Sequence, residues 1–259
     1  MKIIGFVAAL CMLSGLMSST AAKDAEEQKT FDETFSFDSG GRLRLENQNG
    51  GIEVRTWDRD EVRVWARIKV RGRDSREAEE MLEEVEIRVE QSSGRLEIYS
   101  DHPRTGWGRG RSVSISYELT VPSEIDLKLD TVNGNIEVGE IQGEVVAQTT
   151  NGGIEVDRVE GSVSAKTTNG GIDIELATFD GSSDLEFTTT NGSINVALPE
   201  DIKGSFEART TNGHIETDFP ITVRGRISKK SIKGDLNGGG NTLIRLKTTN
   251  GSIFLKEVF

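Results

Sequence analysis

An Asn-Gly pair followed by isoleucine recurs along the chain, and this repeat restricts the possible folds more than any other feature. Isoleucine stands three residues after each asparagine, and threonine or asparagine stands two residues before it. The pairs begin at Asn49, Asn133, Asn151, Asn169, Asn191, Asn212 and Asn250. From Asn133 to Asn212 the steps are 18, 18, 22 and 21 residues, and the step to Asn250 is 38 residues. Such a period is typical of repeat proteins, in which each unit buries its apolar face against its neighbours.

Apolar and polar residues alternate on both sides of each pair, which predicts an all-β fold. In a β-solenoid, each repeat of 18–22 residues forms one coil, and equivalent residues of successive coils stack ~4.8 Å apart. The Asn-Gly pair supplies two positions that tolerate positive φ, as a hairpin turn or a sharp solenoid corner would need. In an antiparallel meander, each Asn-Gly pair instead closes a hairpin. We favour the solenoid because the repeats keep the same residue at the same position. A solenoid favours identical residues at equivalent positions because they stack on one another, whereas hairpins need only the alternation of apolar and polar residues.

In this solenoid the repeated polar residues have structural roles. We expect the threonine hydroxyls to form hydrogen bonds along the stack and the asparagine side chains to satisfy backbone groups of the turns. The step of 38 residues is predicted to contain one degenerate coil at about residues 221–236, with Asn237 at its turn.

The sequence divides into four predicted segments. Residues 1–22 combine one lysine, a short apolar run and small residues, which is the pattern of a secretory signal peptide. Residues 23–30 are polar and are predicted to be a flexible lead-in. Residues 31–124 form an N-terminal β-rich part, and residues 125–259 form the Asn-Gly solenoid. The apolar run is shorter than the ~20 residues that cross a bilayer, so we expect no transmembrane segment in the mature chain. The expected location is the periplasm, the cell surface or the extracellular space.

One short helix is predicted at about residues 75–84, within the N-terminal part. Asp74 or Ser75 can cap its first turn, and Ala78, Met81 and Leu82 share one face.

Composition excludes several classes of function. The net charge is −12, so the chain is a poor candidate for binding nucleic acid or anionic membranes. The only cysteine, Cys11, lies in the predicted signal peptide, so the mature chain is expected to form no disulfide or thiolate metal site. The sequence has no G-x-S-x-G, H-E-x-x-H or P-loop motif. These observations favour a protein without enzymatic activity and without a cofactor.

Three acidic residues are the first candidate site. Glu137, Glu155 and Asp173 each stand four residues after a repeat asparagine, so a solenoid would stack them into an outward carboxylate ladder. Such a ladder could bind Ca²⁺, or it could act on a polysaccharide. The alternative is a solvated or salt-bridged face, because several basic residues alternate on the adjoining strands. These basic residues are Arg44, Lys128, Lys166, Arg209 and Lys247.

A glycine-rich segment with three arginines around one tryptophan is the second candidate. Arg104, Trp107, Arg109 and Arg111 could bind an anionic sugar or phosphate through charge and cation–π contacts. The alternative is a plain connection between two strands.

Two departures from the repeat mark further positions of interest. His214 occupies a slot that is glycine or serine in most repeats, and Phe254 occupies the slot of the outward carboxylates. A surface turn residue is the preferred interpretation of His214, because no spacing in the sequence supports a catalytic triad around it.

The segments NQNGGIEV, SREAEEMLEEVEI, YELTVPSEIDLKL and TTNGGIEV together resemble a bacterial family of exported β-strand-repeat proteins described as adhesin-like, domain of unknown function 4097. The resemblance covers roughly residues 31–259. It implies a β-helix-like domain with no catalytic motif to carry over. The expected function is an exported, non-enzymatic adhesin or structural domain of the cell envelope, whose partner is a cell-surface or extracellular glycan or protein. The alternative is a protein that binds or cleaves polysaccharides with its outward carboxylates.

Overall fold

The computed structural model describes residues 25–101, 110–179, 181, 183–223 and 228–258. The predicted signal peptide lies outside these residues. The described chain forms twenty strands and one helix, α1 (Ser75–Glu84). The strands are β1 (Ala25–Ser36), β2 (Gly41–Glu46), β3 (Ile52–Trp57), β4 (Glu61–Gly72), β5 (Glu86–Ser92), β6 (Arg95–Asp101), β7 (Ser112–Pro122), β8 (Ile125–Asp130), β9 (Ile136–Val138), β10 (Gln142–Gln148), β11 (Ile154–Lys166), β12 (Ile172–Thr178), β13 (Leu185–Thr188), β14 (Ile194–Pro199), β15 (Gly204–Arg209), β16 (Ile215–Thr217), β17 (Ile221–Val223), β18 (Ser231–Leu236), β19 (Leu243–Lys247) and β20 (Ile253–Val258).

The repeats form a β-solenoid with two stacks of parallel strands. Strands that precede a repeat asparagine build the first stack, in which β2, β8, β10, β11 and β13 pair in that order. Strands that follow an asparagine build the second stack, in which β3, β9, β11, β12 and β14 pair in that order. The long strand β11 contributes to both stacks. Because these pairings are parallel, the solenoid prediction is confirmed and the antiparallel meander is wrong.

The core lies between the two stacks and is built from one side of every strand. The isoleucines that follow the repeat asparagines form one column of this core, each 9% exposed or less. They are Ile52, Ile136, Ile154, Ile172, Ile194, Ile215 and Ile253. Burying such a side chain stabilises the fold by about 1.5–3 kcal/mol relative to leaving it in water, so repetition of one apolar position supplies much of the stability.

The Asn-Gly pairs form corners between the stacks rather than hairpin turns. Equivalent asparagines pair in parallel from coil to coil, and from the second coil onward each side chain donates a hydrogen bond to the asparagine of the preceding coil in the stack. Asn151 Nδ2 lies 2.7 Å from Asn133 Oδ1, and Asn169 Nδ2 lies 2.7 Å from Asn151 Oδ1. The same contact continues through all seven repeat asparagines. The prediction that these side chains satisfy turn backbone groups is therefore wrong.

The threonines two residues before the asparagines are buried and join neighbouring coils. Thr149 Oγ1 donates to the carbonyl oxygen of Gly134 over 2.9 Å, and Thr167 Oγ1 donates to that of Gly152 over 2.9 Å. Hydrogen bonding along the stack is confirmed, and its acceptors are the corner carbonyls of the adjacent coil. Asn47 takes the threonine position in the first coil and donates to the carbonyl oxygen of Ile115 over 2.8 Å.

The N-terminal part continues the second stack with antiparallel strands. Strand β7 pairs with β3 in parallel, β4 pairs with β7 antiparallel, and β1 pairs with β4 antiparallel. Residues 25–30 belong to β1, so the predicted flexible lead-in is wrong for this segment. Helix α1 is confirmed at the predicted bounds, with Asp74 as its cap, and it packs against β1 and β4.

The last coil of the solenoid is inserted out of chain order. Strand β19 lies between β13 and β15, and β20 lies between β14 and β16. The asparagines accordingly stack in the order Asn191, Asn250, Asn212. The predicted degenerate coil is wrong: β18 runs antiparallel to both β15 and β17, and the three strands form a terminal layer.

Candidate functional site

The outer face of the second stack carries a row of acidic side chains. Equivalent positions of β7, β3, β9, β11 and β12 lie in register across this face. The residues in the row are Glu118, Glu53, Glu137, Glu155 and Asp173. Glu137, Glu155 and Asp173 are exposed, as predicted for an outward ladder. Asn195 continues the row on β14 and donates a hydrogen bond to Asp173.

The predicted neutralising bases are not positioned to pair with this ladder. All five lie on strands of the first stack, beyond the asparagine corner, and Arg44 contacts Glu46 there. The other four are Lys128, Lys166, Arg209 and Lys247. Among the described residues, Glu137, Glu155 and Asp173 form no salt bridge within 4.0 Å. These three carboxylates therefore form a face of negative charge, whereas Glu53 of the same row contacts Arg55.

A shallow groove of about 240 Å³ runs over part of this row. Its lining includes Glu155, Asp173, Asn195 and Lys256, so one cation borders two of the carboxylates. The described residues contain no group of three or more His, Cys, Asp or Glu side chains arranged to hold a metal ion. Binding of Ca²⁺ to the ladder stays a prediction.

The outer face of the first stack carries a larger groove, of about 560 Å³. Four cations, Lys166, Arg209, Arg245 and Lys247, line it together with the acids of β13 and β15 and the small polar side chains of β11 and β13. Sequence reasoning missed this groove because its strands come from distant parts of the chain.

The predicted arginine-rich site lies mostly outside the described residues, which exclude Arg104, Trp107 and Arg109. Arg111 is described, and its guanidinium contacts the carboxylate of Glu77 on α1. Both side chains are only 17% exposed. Arg73 also bonds Glu77 over 2.8 Å, and these two arginines hold the pKa of Glu77 well below its usual range. Arg111 therefore has a structural contact, and its predicted ligand binding stays a prediction.

His214 lies in a small polar cluster that the inserted coil creates. Its Nδ1 is 2.9 Å from Ser252 Oγ, and its Nε2 is 3.2 Å from Glu216 Oε1. The ring meets Phe254 edge-on, with centroids 5.6 Å apart. Sequence spacing could not reveal this cluster, because Ser252 reaches His214 only when the last coil is placed beside it.

The Ser252–His214–Glu216 chain has the residue types of a hydrolase triad but lacks the setting of one. His214 and Glu216 are 49% and 66% exposed, and neither groove described above includes them. A triad also needs an oxyanion hole and an enclosed pocket to activate its nucleophile. The geometry therefore supports a surface contact between coils.

No helix in the part of the chain that the structure describes is long and apolar enough to cross a membrane.

The chain matches no curated protein. Among solved structures, it is similar to a "putative cell adhesion protein" from Clostridium sporogenes, with 16% identity, 89% coverage of this chain, 100% coverage of that chain and a TM-score of 0.45. It is also similar to a "putative adhesin" from Bacteroides fragilis, with 12% identity, 89% and 97% coverage of the two chains and a TM-score of 0.27.

A "putative lipid binding protein" from Parabacteroides distasonis is similar with 7% identity, 89% and 97% coverage and a TM-score of 0.26. The family model Toastrack DUF4097 matches residues 123–256, which is more than half of the 259-residue chain. This match confirms the resemblance drawn from the repeat and helix motifs. The chain belongs to the Toastrack DUF4097 family.

Proposed function

We propose that this protein is an exported, non-enzymatic β-solenoid that presents its outer faces to a partner at the cell envelope, as an adhesin or a structural interaction domain. One observation carries the proposal: the repeated isoleucines and threonines are buried, the repeated asparagines bond one another along the corner, and the strand positions that differ from coil to coil face outward. Export is supported by the signal-like pattern of residues 1–22.

Each repeated residue makes a structural contact within the solenoid. The isoleucines fill the core, the threonine hydroxyls bond corner carbonyls, and the asparagine side chains bond one another. The asparagine row is exposed at the corner, but its side-chain amides already bond one another. Together these contacts hold the outer strands in fixed register, so each outward side chain has a defined neighbour one strand away. A rigid face of this kind suits recognition of an extended partner.

A polysaccharide-cleaving enzyme is the second candidate, because Glu155 and Asp173 border the same groove. Paired carboxylates can serve as acid and base in glycoside hydrolysis. Both groups are exposed, and within the described part of the chain neither forms a salt bridge.

Binding and cleavage assays with the purified chain distinguish the two candidates. The chain is applied to a glycan array and incubated with the polysaccharides it binds, and reducing ends are counted. We expect no turnover from the wild type. Cleavage that Glu155→Gln abolishes would overturn the non-enzymatic proposal. The matched control is Glu160→Gln, which changes an exposed glutamate of the same strand outside the acidic row.

A further inference from the structure

Three basic side chains form a row on the outer face of the first stack. Strands β11, β13, β19 and β15 place Lys166, Thr188, Lys247 and Arg209 in register. The three basic side chains are exposed. Among the described residues, none of them forms a salt bridge within 4.0 Å. With strands ~4.8 Å apart, Lys247 and Arg209 are neighbours, and Lys166 lies two strands from Lys247.

The groove of about 560 Å³ surrounds this row. A second row beside it contains Glu186, Arg245 and Glu207, and Arg245 Nη1 lies 3.7 Å from Glu186 Oε1. The groove therefore has four cations against two acids. This local excess is opposite in sign to the net charge of −12 on the whole chain. A positive groove on an acidic protein attracts anions without making the whole surface adhere to them.

We propose that this groove binds a linear acidic polysaccharide, whose carboxylate or sulfate groups contact Lys166, Lys247 and Arg209. The inference rests on the proposed function and gives the interaction domain a ligand class and a binding face. The cations run in a line along the axis of the solenoid, which suits an extended chain with repeated charges.

The other groups in the groove favour a sugar over other polyanions. Gln148, Ser164 and Thr188 can exchange hydrogen bonds with sugar hydroxyls, and Glu186 and Glu207 can accept from them. None of the described lining residues is aromatic, so nucleic acid bases have no side chain on which to stack.

Isothermal titration of the purified chain at low salt tests the proposal. The probes are oligogalacturonate, alginate and a sulfated glycan, with methyl-esterified oligogalacturonate as the matched uncharged sugar and single-stranded DNA as a competing polyanion. We expect the acidic glycans alone to bind. The affinity should fall as salt approaches 0.1 M, where the Debye length is ~10 Å.

Substitutions in the groove locate the binding. Lys247→Gln should weaken acidic-glycan binding about fivefold, since an exposed charge contact contributes up to about 1 kcal/mol. Adding Lys166→Gln should weaken it further. Lys128→Gln is the matched control, because it removes an exposed lysine on the same outer face outside the groove, and it should leave the affinity unchanged.

The outcomes separate this inference from the proposed function. Three results would contradict binding of an acidic polysaccharide in the groove. They are no binding of any acidic glycan, equal binding of the esterified sugar or DNA, and full affinity in the Lys166→Gln and Lys247→Gln double variant. The proposed interaction domain survives each of these results. Cleavage of a bound glycan by the wild type, lost in Glu155→Gln, overturns the proposed function itself.

Discussion

At the scale of single residues, the corner glycines are required by space and not by backbone conformation. Among the described glycines of the Asn-Gly pairs, only Gly50 has a positive φ, of 123°. A Cβ at Gly170 would lie 1.9 Å from the carbonyl oxygen of Gly152, and most other corner glycines face the same obstacle. Successive coils therefore approach too closely at the corner for any side chain.

Gly170→Ala is accordingly expected to destabilise the protein by about 3 kcal/mol or more, because the obstructing atom belongs to the backbone and cannot move aside as a side chain would. Gly153→Ala is the matched control: its nearest contact would be the Gly171 carbonyl oxygen at 3.6 Å, an ordinary van der Waals distance. Urea unfolding of the two variants and the wild type measures the difference. Equal stability of the two variants would contradict the close approach of the coils.

The sequence predicted where the corner residues stand but not why the glycines are needed. An Asn-Gly pair between two alternating segments is also the pattern of a hairpin, in which glycine supplies positive φ. The spacing of Thr149, Asn151 and Ile154 fits both structures. Only the parallel pairing of the coils shows that Asn151 bonds Asn133 and that Gly152 packs against Gly134.

At the scale of elements, the first half of strand β1 (residues 25–30) was missed because its inward side carries charged residues. Its inward-facing side chains include Glu27, Lys29 and Glu33 beside Phe31 and Phe35. Partial burial raises the pKa of Glu33, and Lys29 Nζ donates to the carbonyl oxygen of Val85 over 2.9 Å. Charges that point inward on an edge strand oppose pairing with another chain. The same charges make the segment resemble a polar linker in sequence.

Helix α1 was predicted correctly because its signals are local. Asp74 Oδ1 accepts from the backbone N–H of Glu77 over 2.9 Å, and the buried Ala78, Met81 and Leu82 follow the helical period. The contact of Glu77 on α1 with Arg111 could not be predicted, because β5 and β6 lie between the two residues in the sequence.

The contact of Glu77 with Arg73 and Arg111 predicts loss of stability in acid. The pKa of Glu77 is lowered in the folded state, so its contribution is complete above the ordinary value of 4.5 and is lost as the pH falls below it. Glu77→Gln should therefore show a smaller decrease in unfolding free energy between pH 6 and pH 3 than the wild type, by urea titration at each pH.

Glu84→Gln serves as the control for this experiment. It removes the same charge from the other end of α1 without touching Arg73 or Arg111. A change in the pH dependence of the unfolding free energy that both variants share reflects net charge alone. Identical pH dependence in Glu77→Gln and the wild type would show that the contact does not form in solution.

At the scale of the whole molecule, the order of the coils is the feature that the sequence did not reveal. The repeats from Asn133 onward present the same isoleucine, threonine and asparagine, so each of these coils can stack on any other. Nothing local places the coil of Asn250 between those of Asn191 and Asn212. The groove with Lys247 and the cluster with Ser252 both depend on this insertion. Outward positions within consecutive coils, such as Glu137 and Glu155, were predicted correctly because they need only the repeat.

The inserted coil is expected to control the stability of the terminal strands. Stability in a solenoid is close to a sum over neighbouring coils, so a defect should act locally. Leu246 is fully buried between Phe187 and Ala208, its partners in register. Leu246→Ala should cost about 2–5 kcal/mol through the cavity it leaves. We expect faster hydrogen exchange in β15 and β18, with β8 and β10 keeping the protection they have in the wild type.

Leu129→Ala is the matched control, because Leu129 occupies the same repeat position in β8 and is equally buried, between Leu45 and Ala147. It should speed exchange in β2, β8 and β10 and leave β15 protected. Hydrogen exchange followed by mass spectrometry resolves the two patterns. If both variants instead sped exchange evenly along the chain, the solenoid would open as one cooperative unit. In that case the inserted coil would not control the local stability of the terminal strands, and the stability of the solenoid could not be written as a sum over neighbouring coils.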